Sequence, residues 1–107
     1  MKTPMNRRSI DALLDPRSIA VLGASDRPGS IGDIILGSLR KCGFAGDVWP
    51  INPRYKEIHG FSCYEHISQI PGAPDVVAIC TRGDTAPAHL KDILAVGGRS
   101  AVIYDGG

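Results

Sequence analysis

Charge of one sign is what this sequence has least of. Twelve Lys and Arg stand against eleven Asp and Glu, a formal net charge of +1 over 107 residues. That balance argues against the broad basic patch with which a protein holds nucleic acid or an anionic membrane surface. Long apolar runs are missing too, and no stretch approaches membrane-spanning length. The basic start MKTPMNRRSI leads into no extended apolar segment and no small-residue cleavage site, so the expected compartment is the cytoplasm. Cysteine is scarce. Cys42, Cys63 and Cys80 form no CxxC pair and no metal-ligand spacing, and they read as free buried thiols in a reducing compartment. His59, His66 and His89 are scattered, with no partner one helical turn away, and are expected to be surface or packing residues.

What remains is 43% hydrophobic and 21% charged, with 13 Gly and 8 Pro, the profile of a loop-rich globular domain. The length suffices for one small domain, spanning 1–107, and not for two. The chain has no internal repeat and no low-complexity tract. Residues 6–14 predict a short helix stopped by Asp15-Pro16. SIAVLG (18–23) is a continuous apolar run, as expected of a strand buried on both faces. Ser30 then caps a helix with Ile31, Ile35 and Leu39 in an apolar stripe, Ile34 beside them, and Gly43 as its end. DVWPI (47–51) predicts a second strand, stopped by Asn52-Pro53. Residues 54–74 are mixed, with one helical turn near Glu65–Ser68 and a close at Pro71-Gly72. DVVAIC (75–80) predicts a third strand. Residues 84–98 predict a helix with Thr85 as cap, Pro87 in its first turn, Leu90, Ile93 and Leu94 on one face, and Gly97-Gly98 as terminator. SAVIY (100–104) predicts a fourth strand.

Short apolar strands alternating with amphipathic helices mean an α/β fold: an open, mostly parallel, Rossmann-like sheet with helices on both faces. In such a sheet the strand C-termini share one edge, where ligands bind. The chain stops at Asp105-Gly106-Gly107 with no helix left to cover the fourth strand, so a truncated, longer protein is expected.

The stretch VLGASDRPGSIGDIILGSLRKCGF (21–44) runs strand, glycine-rich loop, helix. Gly23 suits a tight turn after the strand, Gly29 a close backbone approach, and Gly32 a helix seated near that strand. The first amides of the helix would point at an anion, with the helix dipole behind them. No Gly-Lys-Ser/Thr follows, so this is not the P-loop pattern. Five residues separate Gly23 from Gly29, so it is not GxGxxG either. NAD-binding sheets end the second strand on an acid for the ribose hydroxyls, whereas this strand ends Ile51-Asn52-Pro53-Arg54. A cation there suits a phosphorylated ribose, the 2′-phosphate of NADP or the 3′-phosphate of coenzyme A. Arg27, Arg54 (with Lys56 nearby) and Arg82 each follow one of the first three strands, and their loops are expected to open on one edge toward a polyanion.

The blocks SIAVLGASDRPGSIG, VWPINPRY, HGFSCYEHISQIP and DVVAI resemble the N-terminal CoA-binding domain of NDP-forming acyl-CoA synthetases. These are the ADP-forming acetate–CoA ligases, relatives of the succinyl-CoA synthetase alpha subunit. The resemblance runs from about Leu14 to the end. It implies coenzyme A or an acyl-CoA as ligand, in preference to NADP. By motif, Gly23, Ala24, Ser25, Arg27, Gly29, Ser30 and Gly32 match the loop that holds the CoA diphosphate. Asn52, Pro53 and Arg54 match the turn beside the adenosine. After the third strand the family carries a small apolar residue and proline, where this chain has Thr81-Arg82, a departure on the adenine side. The family reaction proceeds through an acyl phosphate and a phosphorylated histidine to ADP, using a following ligase domain and an ATP-grasp domain or subunit as partners. His59, His66 and His89 match none of the motifs that carry that histidine, so the resemblance implies a CoA-binding domain with no catalytic residue of its own. The same module occurs fused to protein lysine acetyltransferases, which leaves a regulatory CoA-binding domain or a stand-alone CoA-binding protein as the second reading.

Overall fold

The computed structural model describes residues 16–81 and 86–104. In chain order the elements are β1 (Ser18–Leu22), α1 (Ile31–Lys41), β2 (Asp47–Ile51), β3 (Glu57–Ile58), β4 (Phe61–Ser62), a 3-10 turn (Ile67–Gln69), β5 (Val76–Ile79), α2 (Ala86–Ala95) and β6 (Ser100–Ile103). The sequence-predicted helix at 6–14, the Thr85 cap, Arg82 and the final Asp105-Gly106-Gly107 lie outside the described residues.

Four strands form one parallel sheet in the order β2-β1-β5-β6, so the chain steps from β1 to one side, then crosses back to build the other. The two central strands, β1 and β5, have neighbours on both sides, and β1 pairs Ala20 with Trp49 of β2 and with Val77 of β5. Alternation along these strands divides the interior in two. Ala20, Leu22, Trp49, Ile51, Val77 and Ile79 point to the face that Ile93 of α2 and Ile67 of the 3-10 turn close. Val21, Val48 and Ala78 point to the other, where Leu36 of α1 and Ile58 of β3 pack. Period-two strands with apolar residues on both faces are what a parallel sheet between helices requires.

Ser30 caps α1 as expected, its Oγ accepting the Asp33 amide, and Gly43 takes φ +69° just past the end. The helix face is turned relative to the predicted stripe. Leu36 is the fully buried residue, Ile35 and Leu39 are partly buried, and Ile34 is 55% exposed. On α2, among the residues whose side chains are described, only Ile93 is buried, and Leu94 is 74% exposed. Pro50 in β2 fits because β2 is an edge strand, where its missing N–H breaks no ladder.

The mixed stretch after β2 holds a feature the sequence did not announce. β3 and β4 form a hairpin whose two turn residues, His59 (φ +52°) and Gly60 (φ +81°), both lie left-handed, the backbone that a tight two-residue turn demands. The predicted helical turn appears as the 3-10 turn, starting two residues later and ending one residue later than expected, and capped by His66.

Leu36→Ala is expected to cost about 2–5 kcal/mol of stability, since it empties a fully buried site, whereas Ile34→Ala should fall within about 0.5 kcal/mol of the parent. Chemical denaturation of both variants measures the contrast, and similar losses would mean that the helix face is misassigned.

Candidate functional site

The site begins where β1 stops. Gly23 turns the chain at φ +76°, and the amides of Gly23 and Ala24 both donate to the carbonyl of Ile51 at 3.2 and 3.3 Å. The loop is thereby pinned to the end of β2. Asn52 completes the tie: its Nδ2 donates to Ala24 O at 2.8 Å, and its Oδ1 accepts the Arg54 amide at 2.8 Å. An asparagine suits this place because it donates and accepts at once.

Side chains then shape the loop from within. Ser25 Oγ accepts the Arg27 amide at 2.9 Å. Ser30 Oγ donates to Arg27 O at 2.8 Å and accepts the Asp33 amide at 3.3 Å. Gly29 turns at φ +84° with open space where a side chain would begin, and its amide donates to Asp33 Oδ2 at 3.3 Å. Gly32 is different in kind. A Cβ there would lie 3.0 Å from Gly23 O, 3.1 Å from Ser25 N and 3.2 Å from Ala24 Cα, so its hydrogen is what lets α1 start against the loop backbone. Ile31 and Gly32, the first two residues of α1, donate no backbone hydrogen bond to any described residue.

Among the described residues three adjoining clefts open at this edge, and Gly23 borders each of them. The first, about 270 Å³, is lined by the loop itself, from Ser25 and Arg27 through Gly29 and Ser30 to Gly32, with Cys80 at the end of β5. The second, about 350 Å³, lies between the β1 and β2 turns and brings Arg27 and Arg54 together with Ser25, Asn52 and Tyr55. The third, about 240 Å³, is mostly apolar, with Leu22, Ile51, Pro53 and Ile67 below His66, His89 and Thr81. Arg27 therefore borders the first two clefts and Arg54 only the second.

Of the described residues that the sequence put forward as ligand contacts, all but Ala24 line one of these clefts. Ala24 is fully buried in the core on the α1 side, and its amide and carbonyl are both used internally. Thr81 stands beside Gly23, where a Cβ on the glycine would come within 2.8 Å of the threonine methyl. Tyr55 and Cys80 line the clefts without having been singled out; Tyr55 closes the INPRY block, and for Cys80 no local signal existed. The histidines are less isolated than their spacing implied. His66 and His89 share the apolar cleft, and His66 Nε2 lies 3.5 Å from Asp92 Oδ2. His59 pairs with Asp33.

Chemically, the edge offers an anion site rather than a nucleophile. The α1 dipole, unpaired amides and a cation converge on the glycine loop. Burial pushes the Cys80 thiol up to about 11, so at neutral pH it is a neutral thiol and a poor nucleophile. All three cysteines are free, but none is fully buried as the sequence led one to expect: Cys42 is exposed, and Cys63 and Cys80 are partly buried. Among the described residues no cluster of His, Cys, Asp or Glu is arranged to hold a metal ion, and no helix is long and apolar enough to cross a membrane.

A parallel sheet with a glycine-rich loop and an open helix N-terminus at its switch point defines a Rossmann-like nucleotide-binding domain. The chain belongs to the CoA-binding domain family, whose model matches residues 17–107. It is 33% identical over 98 residues to the ADP-forming acetate–CoA ligase I of Archaeoglobus fulgidus, covering 92% of this chain and 14% of the ligase. The dinucleotide-forming acetyl-coenzyme A synthetase 1 of Ca. Korarchaeum cryptofilum, solved with phosphate and ADP, superposes with a TM-score of 0.86. There the identity is 37%, over 94% of this chain and 22% of that one. A conserved hypothetical protein from Pyrococcus furiosus superposes at 0.73 with 32% identity, over 82% of this chain and 74% of its own. The chain thus spans about a seventh of the ligase it matches and most of a shorter protein.

Gly32→Ala should destabilise the fold by about 1–3 kcal/mol, because three backbone atoms would have to shift. For a domain of this size that lowers the melting temperature by roughly 4–8 °C per kcal/mol. An unchanged melting curve would show that the loop yields freely around position 32.

Proposed function

We propose that the chain binds coenzyme A or an acyl-CoA, as the CoA-binding part of an ADP-forming acid–CoA ligase. The observation that carries this reading is the pair of adjoining clefts joined by Arg27. The glycine loop supplies amides and a helix N-terminus suited to a diphosphate, and a second arginine, Arg54, lining the β1–β2 cleft with Arg27 suits a further phosphate. Coenzyme A carries both groups, a diphosphate and a ribose 3′-phosphate. No acid stands at the end of β2 to receive an unphosphorylated ribose. The apolar third cleft, floored by Leu22 and Ile51, has the lining that a base requires.

In this reading Gly23, Ser25, Gly29, Ser30 and Gly32 form the diphosphate cradle, with Arg27 over it. Asn52 holds the cradle to the second turn, where Pro53 and Arg54 meet the adenosine end, and Thr81 borders the other side. Ala24 contributes from the core, by fixing the loop. The ligand supplies the thiol on which a thioester is carried. The protein binds and orients it, while bond making falls to ligase and ATP-grasp partners of the kind the matched ligases represent. The free cysteines fit a protein of the cytoplasm. A second reading, a CoA-binding protein acting alone or as a regulatory domain, draws on the short hypothetical protein of which this chain covers 74%.

Calorimetric titration is expected to rank CoA and acetyl-CoA above NADP and NAD; NADP binding as tight as CoA would overturn the assignment. Arg54→Ala should weaken CoA about 10- to 150-fold, the worth of a charge-assisted hydrogen bond of roughly 1.5–3 kcal/mol, and leave dephospho-CoA almost unchanged. Arg27→Ala should weaken both alike. Equal losses for the two ligands at Arg54 would make it a general phosphate contact.

Gly29→Val is expected to keep the fold by circular dichroism and to lose CoA. Its side chain meets no protein atom and would project into the space the diphosphate needs, on a backbone (φ +84°) that a branched residue resists. Parental affinity in a folded variant would reduce Gly29 to a turn residue.

A further inference from the structure

Asp33 occupies the third position of α1, within the turn whose amides face the glycine-loop cleft. A carboxylate there favours the helix through its dipole. It is also a built-in rival to any bound phosphate, because an acid at this position reaches back toward the same amides and repels the incoming charge. That reach is already visible: Asp33 Oδ2 accepts the Gly29 amide at 3.3 Å.

The other oxygen is held elsewhere. Asp33 Oδ1 lies 2.7 Å from His59 Nε2, on the turn between β3 and β4. An ionised carboxylate only accepts, so Nε2 carries the proton in this contact. The hairpin that presents His59 is fixed on α1 independently. Arg40 Nε donates to His59 O at 2.9 Å, and its guanidinium sits 4.0 Å over the Phe61 ring. Gly37, one turn beyond Asp33, lies beside the imidazole, where a Cβ would make ordinary contact with His59 Cε1 at 3.5 Å. His59 adopts φ +52°, a backbone that non-glycine residues rarely take. The ring is therefore placed by the hairpin and by Arg40, not by Asp33 alone.

We propose that His59 is a positioning residue for the anion loop: from outside the loop it holds the Asp33 carboxylate on the hairpin side of α1. The Ile31 and Gly32 amides are then left for a phosphate group. A residue that never touches the ligand thus sets how strongly the loop attracts it. The proposal rests on reading the loop as a phosphate site, and the probes are CoA and inorganic pyrophosphate, titrated against the whole 107-residue chain.

His59→Ala releases the carboxylate and should weaken both probes about 2- to 5-fold, the range a partly exposed ion pair supports. His59→Gln keeps an N–H donor of similar reach and should recover most of that loss. Asp33→Asn keeps an acceptor for Gly29 but removes the rival charge, and should tighten both probes. In the Asp33→Asn background, His59→Ala should change nothing further. A loss that persists in that background would mean that His59 only supports the hairpin, and equal affinities for parent and His59→Ala would likewise overturn the proposal. Should the parent bind neither probe, the phosphate reading falls instead. The Gly29 amide resonance then decides on the pair: a shift in His59→Ala upholds it and an unmoved resonance overturns it.

Discussion

Two amides converging on one carbonyl hold this site in place. Gly23 and Ala24 both donate to Ile51 O, and Asn52 returns the tie through Ala24 O. Without that knot the loop after β1 and the turn after β2 would be separate surface segments. With it they share a cleft, and the cations that follow each strand, Arg27 and Arg54, come to one place. The left-handed turn at Gly23 and the bare Cα of Gly32 serve the same end, letting α1 begin directly against the loop backbone. Buried polar ties of this sort carry a penalty if half of the tie is lost, which is why Asn52, satisfied at both ends, suits the position better than an acid or an amine.

Much of this was legible in the sequence because it is local. β1, β2 and β5 announce themselves as apolar runs, since a strand covered on both faces has no polar face to interrupt it, and β6 reads as apolar although it stands largely exposed at the sheet's edge. Ser30 and Gly43 bracket α1 by their own backbone chemistry. The helix face was less legible. Leu36 rather than Ile34 goes to the core because the sheet's position, not the helix's own period, chooses among neighbouring apolar residues. Two-residue strands such as β3 and β4 carry no period at all, so the hairpin had no signature beyond His59-Gly60. The sites that depend on it were invisible for the same reason. Asp33 and His59 are 26 residues apart and meet only through the docking of that hairpin on α1. Cys80 reaches its cleft from the end of β5, beside the end of β1, a neighbour set by strand pairing that the sequence does not print.

The division of labour within the edge follows from charge and polarity. Amides and arginines gather around the first two clefts, while the third is floored by the ends of β1 and β2 and stays apolar. A ligand that is polyanionic at one end and has a flat apolar face can satisfy all three at once. A simple anion satisfies only the first, which separates a nucleotide cofactor from an inorganic ion by shape rather than by any single contact.

The sheet's two margins differ in a way that reaches beyond the ligand. At β2, Pro50 offers no N–H, its carbonyl accepts the Tyr64 amide, and the Asn52 amide donates to Tyr64 O, so that border is sealed by the chain's own next segment. At β6 nothing described lies alongside, and Val102, Ile103 and Tyr104 remain between a third and a half exposed. The architecture is therefore directional. Among the described residues the open edge is β6, on the flank away from Arg54, while the β2 edge is tied near its end to the chain's own next segment, so a strand added at β6 would leave the anion-gathering turns untouched.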